Sequence, residues 1–97
     1  MPHYVTLIHF TQQGIARIKE STSRLDHARK AAEAAGGKIK DWYLTMGKYD
    51  ALFVSEFPDD EGVARFMLSV GSQGNVTTLT IKAFPEPEYR RIIASIP

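Results

Sequence analysis

Between Lys38 and Phe57 two apolar, aromatic-rich runs flank Met46-Gly47-Lys48-Tyr49-Asp50, and the pairing of these runs narrows the fold more than any other feature of the chain. Runs of this kind separated by a glycine-centred bend read as a β-hairpin. With Gly47-Lys48 as a two-residue loop, Met46 faces Tyr49. The pairs then run outward as Thr45 with Asp50, Tyr43 with Leu52, Asp41 with Val54 and Ile39 with Glu56. Between them fall Leu44 with Ala51, Trp42 with Phe53 and Lys40 with Ser55. This second set is the more apolar near the turn and is expected to face helices. The first, with Tyr43, Thr45, Asp50 and Glu56, is expected to face away from them. A slip of one residue in the loop would exchange the faces of one strand.

The flanking elements follow from periodicity and punctuation. Tyr4 to Phe10 is β-branched and aromatic and stops at Thr11-Gln12-Gln13-Gly14, as a strand does. Thr11 caps a short helical stretch through Glu20. Ser21 to Ser23 offer new N-caps for a helix over Arg24 to Ala35, with Leu25, Ala28, Ala32 and Ala35 on its inner stripe. Gly36-Gly37 ends it. After the hairpin, Pro58-Asp59-Asp60-Glu61 places acidic residues at the start of a second helix, whose stripe is Val63, Phe66, Met67 and Val70. Gly71-Ser72-Gln73-Gly74 closes that helix before a strand over Asn75 to Phe84. Beyond Pro85-Glu86-Pro87, Glu88 to Ile96 reads as a C-terminal helix with Tyr89, Ile92, Ile93 and Ile96 on or near one face.

The order is strand, helix, strand, strand, helix, strand, with one added helix. This is an α+β fold of the ferredoxin-like, split βαβ type (β-α-β-β-α-β). Right-handed crossovers put both helices on one side of the sheet and leave the other side bare. No repeat, low-complexity tract or linker divides residues 1–97, so a single domain is expected. A second copy of the chain is then the natural cover for the bare face, and a homodimer, or a higher homo-oligomer built on it, is predicted. A chain of 97 residues buries only about 60 to 65 per cent of its unfolded surface, which makes such cover more valuable.

Charge and composition exclude several classes. The net charge of +1 gives little drive toward nucleic acid or an anionic membrane. An RNA-recognition reading of Lys48-Tyr49-Asp50-Ala51-Leu52-Phe53-Val54 catches part of the alternating aromatic rhythm, but it sets Asp50 where phosphates would approach. Cysteine is absent, which removes disulfides, thiolate metal sites and cysteine nucleophiles. The apolar runs fall far short of the roughly 20 residues that span a bilayer. No secretory leader is visible either, so the cytoplasm is the expected location. His3, His9 and His27 make no pair at helical metal-ligand spacing, and neither a metal nor a cofactor is expected.

Tyr43-Leu44-Thr45-Met46-Gly47-Lys48-Tyr49-Asp50, with Glu56 and Pro58-Asp59-Asp60 behind it, resembles the signature of the GYD domain family, named for its glycine, tyrosine and aspartate. Tyr4-Val5-Thr6-Leu7, Phe10-Thr11 with Gly14-Ile15, and Gly71-Ser72-Gln73-Gly74-Asn75-Val76 are similar to that family as well, so the likeness runs through nearly the whole chain. The resemblance implies a ferredoxin-like fold in the dimeric α/β-barrel group. That group ranges over cofactor-free monooxygenases, isomerases, haem enzymes and ligand-sensing domains, and the shared fold selects none of them.

Three sets of residues carry candidate chemistry. Asp50, beside Tyr49 and near Thr45 and Lys82, could act as a general acid or base; equally, it could accept backbone hydrogen bonds at a strand end. Tyr43 and Tyr49 could donate to a ligand carbonyl or serve as packed aromatics with wet hydroxyls. On the last strand Leu79, Ile81 and Ala83 alternate with Thr78, Thr80 and Lys82. Together with Tyr43, Thr45, Tyr49 and Asp50, the polar set is expected to line a space between two stacked sheets that holds a small organic molecule. A cofactor-free oxygenase or isomerase fits that arrangement, and so does a noncatalytic assembly or ligand-sensing module. His9 could transfer a proton or simply satisfy one backbone hydrogen bond. The Gly71 to Gly74 loop follows a helix instead of opening one, which favours a C-cap over a phosphate cradle.

Overall fold

The computed structural model describes residues 1–97. In chain order the elements are β1 (His3–Phe10), α1 (Gln12–Ala16), α2 (Ser21–Ala34), β2 (Lys38–Leu44), β3 (Ala51–Glu56), α3 (Asp60–Ser72), β4 (Val76–Ala83) and α4 (Glu86–Ala94), with a single 3-10 turn at Ile18–Glu20 between α1 and α2. The four strands form one antiparallel sheet in the order β2-β3-β1-β4. This α+β architecture is compatible with the ferredoxin-like arrangement that the element order predicts. No helix is long and apolar enough to cross a membrane.

Local chemistry explains most of the boundaries. Thr11 adopts extended backbone, and its hydroxyl accepts from the Gly14 amide at 3.0 Å while donating to the Gly74 carbonyl at 2.6 Å. One side chain thereby caps α1 and ties it to the loop before β4. Gly14 sits so close to that loop that a Cβ there would lie 2.0 Å from the Asn75 carbonyl oxygen. Asp59 caps α3 by accepting from the Gly62 amide at 2.8 Å. Helix α2 starts three residues before the expected Arg24, and no side chain caps it, because the 3-10 turn runs straight into it. Gly36, at φ +83°, turns the chain out of α2, and the Gly37 amide closes the helix on the Ala32 carbonyl at 2.8 Å. Helix α4 opens at Glu86, ahead of the expected Glu88, since Pro87 fits the first turn, where its missing N–H costs nothing.

The hairpin departs from its predicted pairing at both ends. Near the turn the ladder stops at Leu44 with Ala51. The Thr45 amide then donates to the Asp50 carbonyl at 2.9 Å, and the Thr45 hydroxyl to the Tyr49 carbonyl at 2.6 Å. Met46 therefore does not pair with Tyr49 and stands 98% exposed. Far from the turn, a bulge at Lys40 sets Ile39 opposite Ser55 and Lys38 opposite Glu56. The extra residue lets Ile39 point into the core and keeps Lys40 out of it.

Directly paired residues share a face, so the register assigns the two faces of the sheet. Tyr4, Thr6 and Ile8 point toward the helices and are buried, as are Ala51, Phe53 and Ser55 opposite them. The core forms there, with Phe57 packed 5.3 Å from Phe66 and 6.4 Å from Tyr4 between ring centroids. On β4 the register sets Thr78, Thr80 and Lys82 opposite Ile8, Thr6 and Tyr4. They face the helices, not the open side with Tyr43, which corrects the expected polar row. Paired hydroxyls are the physical reason: Thr6 and Thr80 lie 2.9 Å apart, so a threonine row can turn inward without an unsatisfied group. The open face is apolar instead, with Val5, Leu7, Leu52, Val54, Leu79 and Ile81 along its middle.

Helix α4 contributes no buried residue. The radius of gyration is 14.6 Å and the extents are 52 × 31 × 17 Å, against about 12.5 Å of radius for a compact chain of this length.

Candidate functional site

The predicted site residues fall into two groups on opposite faces. At the hairpin end of the open face, Asp50 is held by the backbone on both sides. Its amide donates to the Ile8 carbonyl at 2.8 Å, and its Oδ2 accepts from the Phe10 amide at 2.9 Å. His9 Nδ1 stands 4.0 Å from the same oxygen, and the His9 and Tyr49 rings lie 4.6 Å apart between centroids. Asp50 and His9 side chains are 44% and 45% exposed. Thr45 is occupied within the loop, and Tyr43 is exposed alongside Leu52. Tyr43, Thr45, Tyr49 and Asp50 thus gather at one end of the hairpin, joined by His9. Chemically the cluster offers a carboxylate with one oxygen committed to a backbone amide, and an imidazole tilted by 33° against a phenol.

Thr80 and Lys82 belong elsewhere. Between β1, β4 and α3 lies an open cleft of about 230 Å³, bordered by Tyr4, Asp60, Thr80 and Lys82, with Val63 and Met67 on its apolar side. The Tyr4 hydroxyl donates to Asp60 Oδ1 at 2.5 Å, and Lys82 Nζ stands 3.5 Å from that same oxygen. Burial pushes the Tyr4 phenol up to about 12, with the Asp60 carboxylate adding to the effect. The same hydrogen bond, followed by the Lys82 charge, holds the Asp60 carboxyl below its usual range. Thr78, on the same face, borders neither group.

Sequence reasoning passed over Tyr4 and Asp60. Asp60 reads as one of several acids at a helix start, and Tyr4 as one aromatic of the first strand. The available signal was positional: Tyr4 is the second residue of the strand that pairs with β4, and Asp60 opens α3. A second cavity, of about 70 Å³, lies between α2 and the sheet among Ile8, Leu25, Trp42, Phe53 and Phe66. It is smaller than the roughly 150 Å³ that accepts a benzene ring.

The fold and these sites define an α+β protein with a single four-stranded antiparallel sheet, one face packed under helices and the other apolar and open. The chain belongs to the GYD domain family, whose profile matches residues 4–93. It is similar to the glutamine synthetase and cystathionine beta-lyase binding protein of Thermus thermophilus, at 31% identity over 86 residues, covering 88% of this chain and 90% of that one. Solved structures share the fold. The protein crystallised as FFRP-DM1 superposes with a TM-score of 0.62 at 15% identity, over 87% of this chain and all (100%) of that one. A second structure, of a Thermus thermophilus protein, gives a TM-score of 0.56 at 20% identity, over 88% and 95% of the two chains.

Proposed function

We propose that this protein is a homodimeric binding module, each protomer a single ferredoxin-like domain over residues 1–97, with two copies stacking their open sheet faces as a dimeric α/β barrel. Its role is to hold a protein partner; it does not catalyse a reaction. The observation that carries this reading is the apolar open face, where Leu79 and Ile81 are each 49% exposed. A contiguous row of aliphatic side chains on a sheet has few other uses than an interface. Charged and polar groups ring it: His3 with Glu56 at 3.0 Å and Lys40 near the same carboxylate at one end, Asp50 and His9 at the other. An apolar centre within a polar rim is the usual anatomy of a protein interface. The exposed apolar residues of α4, Tyr89 and Ile93 among them, add surface for a partner. The name of the Thermus relative, a binding protein for two enzymes, supports a role in binding another protein.

A catalytic reading, with Asp50 as acid or base of a cofactor-free oxygenase or isomerase, draws on the half-exposed His9, Tyr49 and Asp50 cluster. It is weakened by the inward turn of Thr78, Thr80 and Lys82, which removes the β4 part of the expected polar lining from the open face. Sedimentation equilibrium tests the proposal. A dimer at micromolar protein is expected, and Ile81→Asp is expected to give a folded monomer. Each wild-type Leu79 or Ile81 buried by the partner stabilises by roughly 1 kcal/mol, half the value for a fully buried aliphatic side chain. The two-fold axis doubles each contribution, so one apolar loss alone weakens association about thirtyfold, before the cost of burying two carboxylates. A well-folded wild-type monomer at micromolar concentration would sink the proposal.

A further inference from the structure

The cleft between β4 and α3 has a polar rim with hydrogen-bonding capacity to spare. The Thr6 and Thr80 hydroxyls share one hydrogen bond at 2.9 Å that either can donate, and Thr6 also lies 3.9 Å from Met67 Sδ. In either direction Thr80 Oγ1 keeps at least one lone pair for the cleft. Tyr4 and Lys82 both address Asp60 Oδ1, and Oδ2 has no protein donor. Two acceptors, one of them anionic, thus border the same cleft. Lys82 Nζ, with a single partner at 3.5 Å, supplies unfilled donors on the same rim. The rim has opposite charges in equal number, and its inner wall is the aliphatic and thioether surface of Val63 and Met67.

We propose that this cleft binds a zwitterionic α-amino acid with an apolar side chain. The ammonium group sits on Asp60 Oδ2 and Thr80 Oγ1, the carboxylate on Lys82 Nζ, and the side chain against Val63 and Met67. Charge decides the class. An anion would find one cation and a neighbouring carboxylate that repels it; a simple amine would leave Lys82 unused. A zwitterion satisfies both, and the Lys82 to Asp60 pair it replaces is exposed and weak. The Tyr4 hydrogen bond remains in place and keeps Asp60 oriented, which lowers the ordering cost of binding. Size fits as well. If about 150 Å³ accepts the six carbons of benzene, a cleft of this volume accommodates roughly nine heavy atoms, the count in leucine.

The cleft is complete within one chain, so its test does not depend on the dimer. Full-length protein is titrated with L-leucine, with 3-methylbutylamine and with 4-methylpentanoate, the last two being leucine without its carboxylate and without its ammonium group. Amide and methyl NMR shifts report the site. Leucine is expected to give saturable shifts at Met67, Thr80 and Lys82 and to bind at least about tenfold more tightly than either analogue, the scale of one lost charged hydrogen bond. Lys82→Met is expected to bring leucine down to the level of 3-methylbutylamine and to leave that amine unchanged. Asp60→Asn, which keeps an acceptor for Tyr4, brings leucine down to the level of 4-methylpentanoate. The proposal is overturned by the absence of a saturable shift at about 10 mM, where even a 1 mM site is mostly filled. It is equally overturned by shifts centred outside the cleft, or by analogues that bind as well as leucine.

Discussion

Replacing Asp50 by alanine and by asparagine separates a structural role from a chemical one. The Asp50 carboxylate is the acceptor for the Phe10 amide at 2.9 Å, at the point where β1 ends and the hairpin loop crosses it. A hydrogen bond to an ionised acceptor contributes about 1.5 to 3 kcal/mol; the low end applies because the group is half-exposed and water can reach the orphaned amide. Asp50→Ala should therefore cost about 1.5 kcal/mol. Asp50→Asn keeps an acceptor oxygen and loses only the charge, for about 0.5 kcal/mol. Unfolding a chain of this size carries an entropy near 0.2 kcal/mol per kelvin, so the expected falls in Tm are about 7 °C and about 2 to 3 °C. Circular dichroism melts at one fixed protein concentration measure both, since Tm of an associating protein depends on concentration. An alanine variant that melts with the wild type would refute the fastening role. An asparagine variant as damaged as alanine would place the effect in the charge facing His9.

Two further outcomes test the fold and the cleft. Because the Tyr4 phenol is raised to about 12, tyrosinate absorbance should show one tyrosine titrating last, and Tyr4→Phe should remove that step. The raised value adds stability below the ordinary tyrosine pKa near 10 and loses it as pH climbs toward 12. Asp60, held low, contributes above its ordinary range near 4 and loses that contribution in acid. Tyr4→Phe should flatten the stability profile at both ends, and an unchanged profile would contradict the pairing. Gly14→Ala sets a Cβ against backbone that no rotamer change can move. At least about 2 kcal/mol of stability should be lost, visible as a Tm fall near 10 °C, and a neutral melt would show that α1 does not dock on the loop before β4.

Element order was legible because apolar periodicity and glycine or proline punctuation are local signals. The capping role of Thr11, the acidic start of α3 and the left-handed Gly36 followed from the same local rules. Face assignment on β4 was not legible. Polarity was used to decide which residues point outward, yet the alternation itself is symmetric, and only pairing with β1 sets its phase. The inward Thr80 is stabilised by Thr6, a residue 74 positions away in sequence. The Lys40 bulge was hidden for a related reason: nothing near Lys40 announces that Ile39 is required by the core. Of the proposed site, the hairpin residues were found together because they are close in sequence. The cleft was not, since Tyr4, Asp60 and Lys82 meet only through tertiary packing.

The bulge at Lys40 also governs what kinds of aggregate are open to the molecule. Strand β2 is an outer strand of the sheet, and a regular outer strand invites another chain to add on and continue the ladder. Here the ladder is broken at Lys40, Lys38 and Lys40 charge the rim, and the Arg29 guanidinium occupies the Ile39 carbonyl at 2.8 Å. In-plane growth along that side has no template. Contact through the flat face follows a different rule, because a two-fold pair consumes both of its own faces and leaves none for a third molecule. For a chain paired as proposed, these two features together favour a particle of fixed size over growth from the β2 edge or the open face.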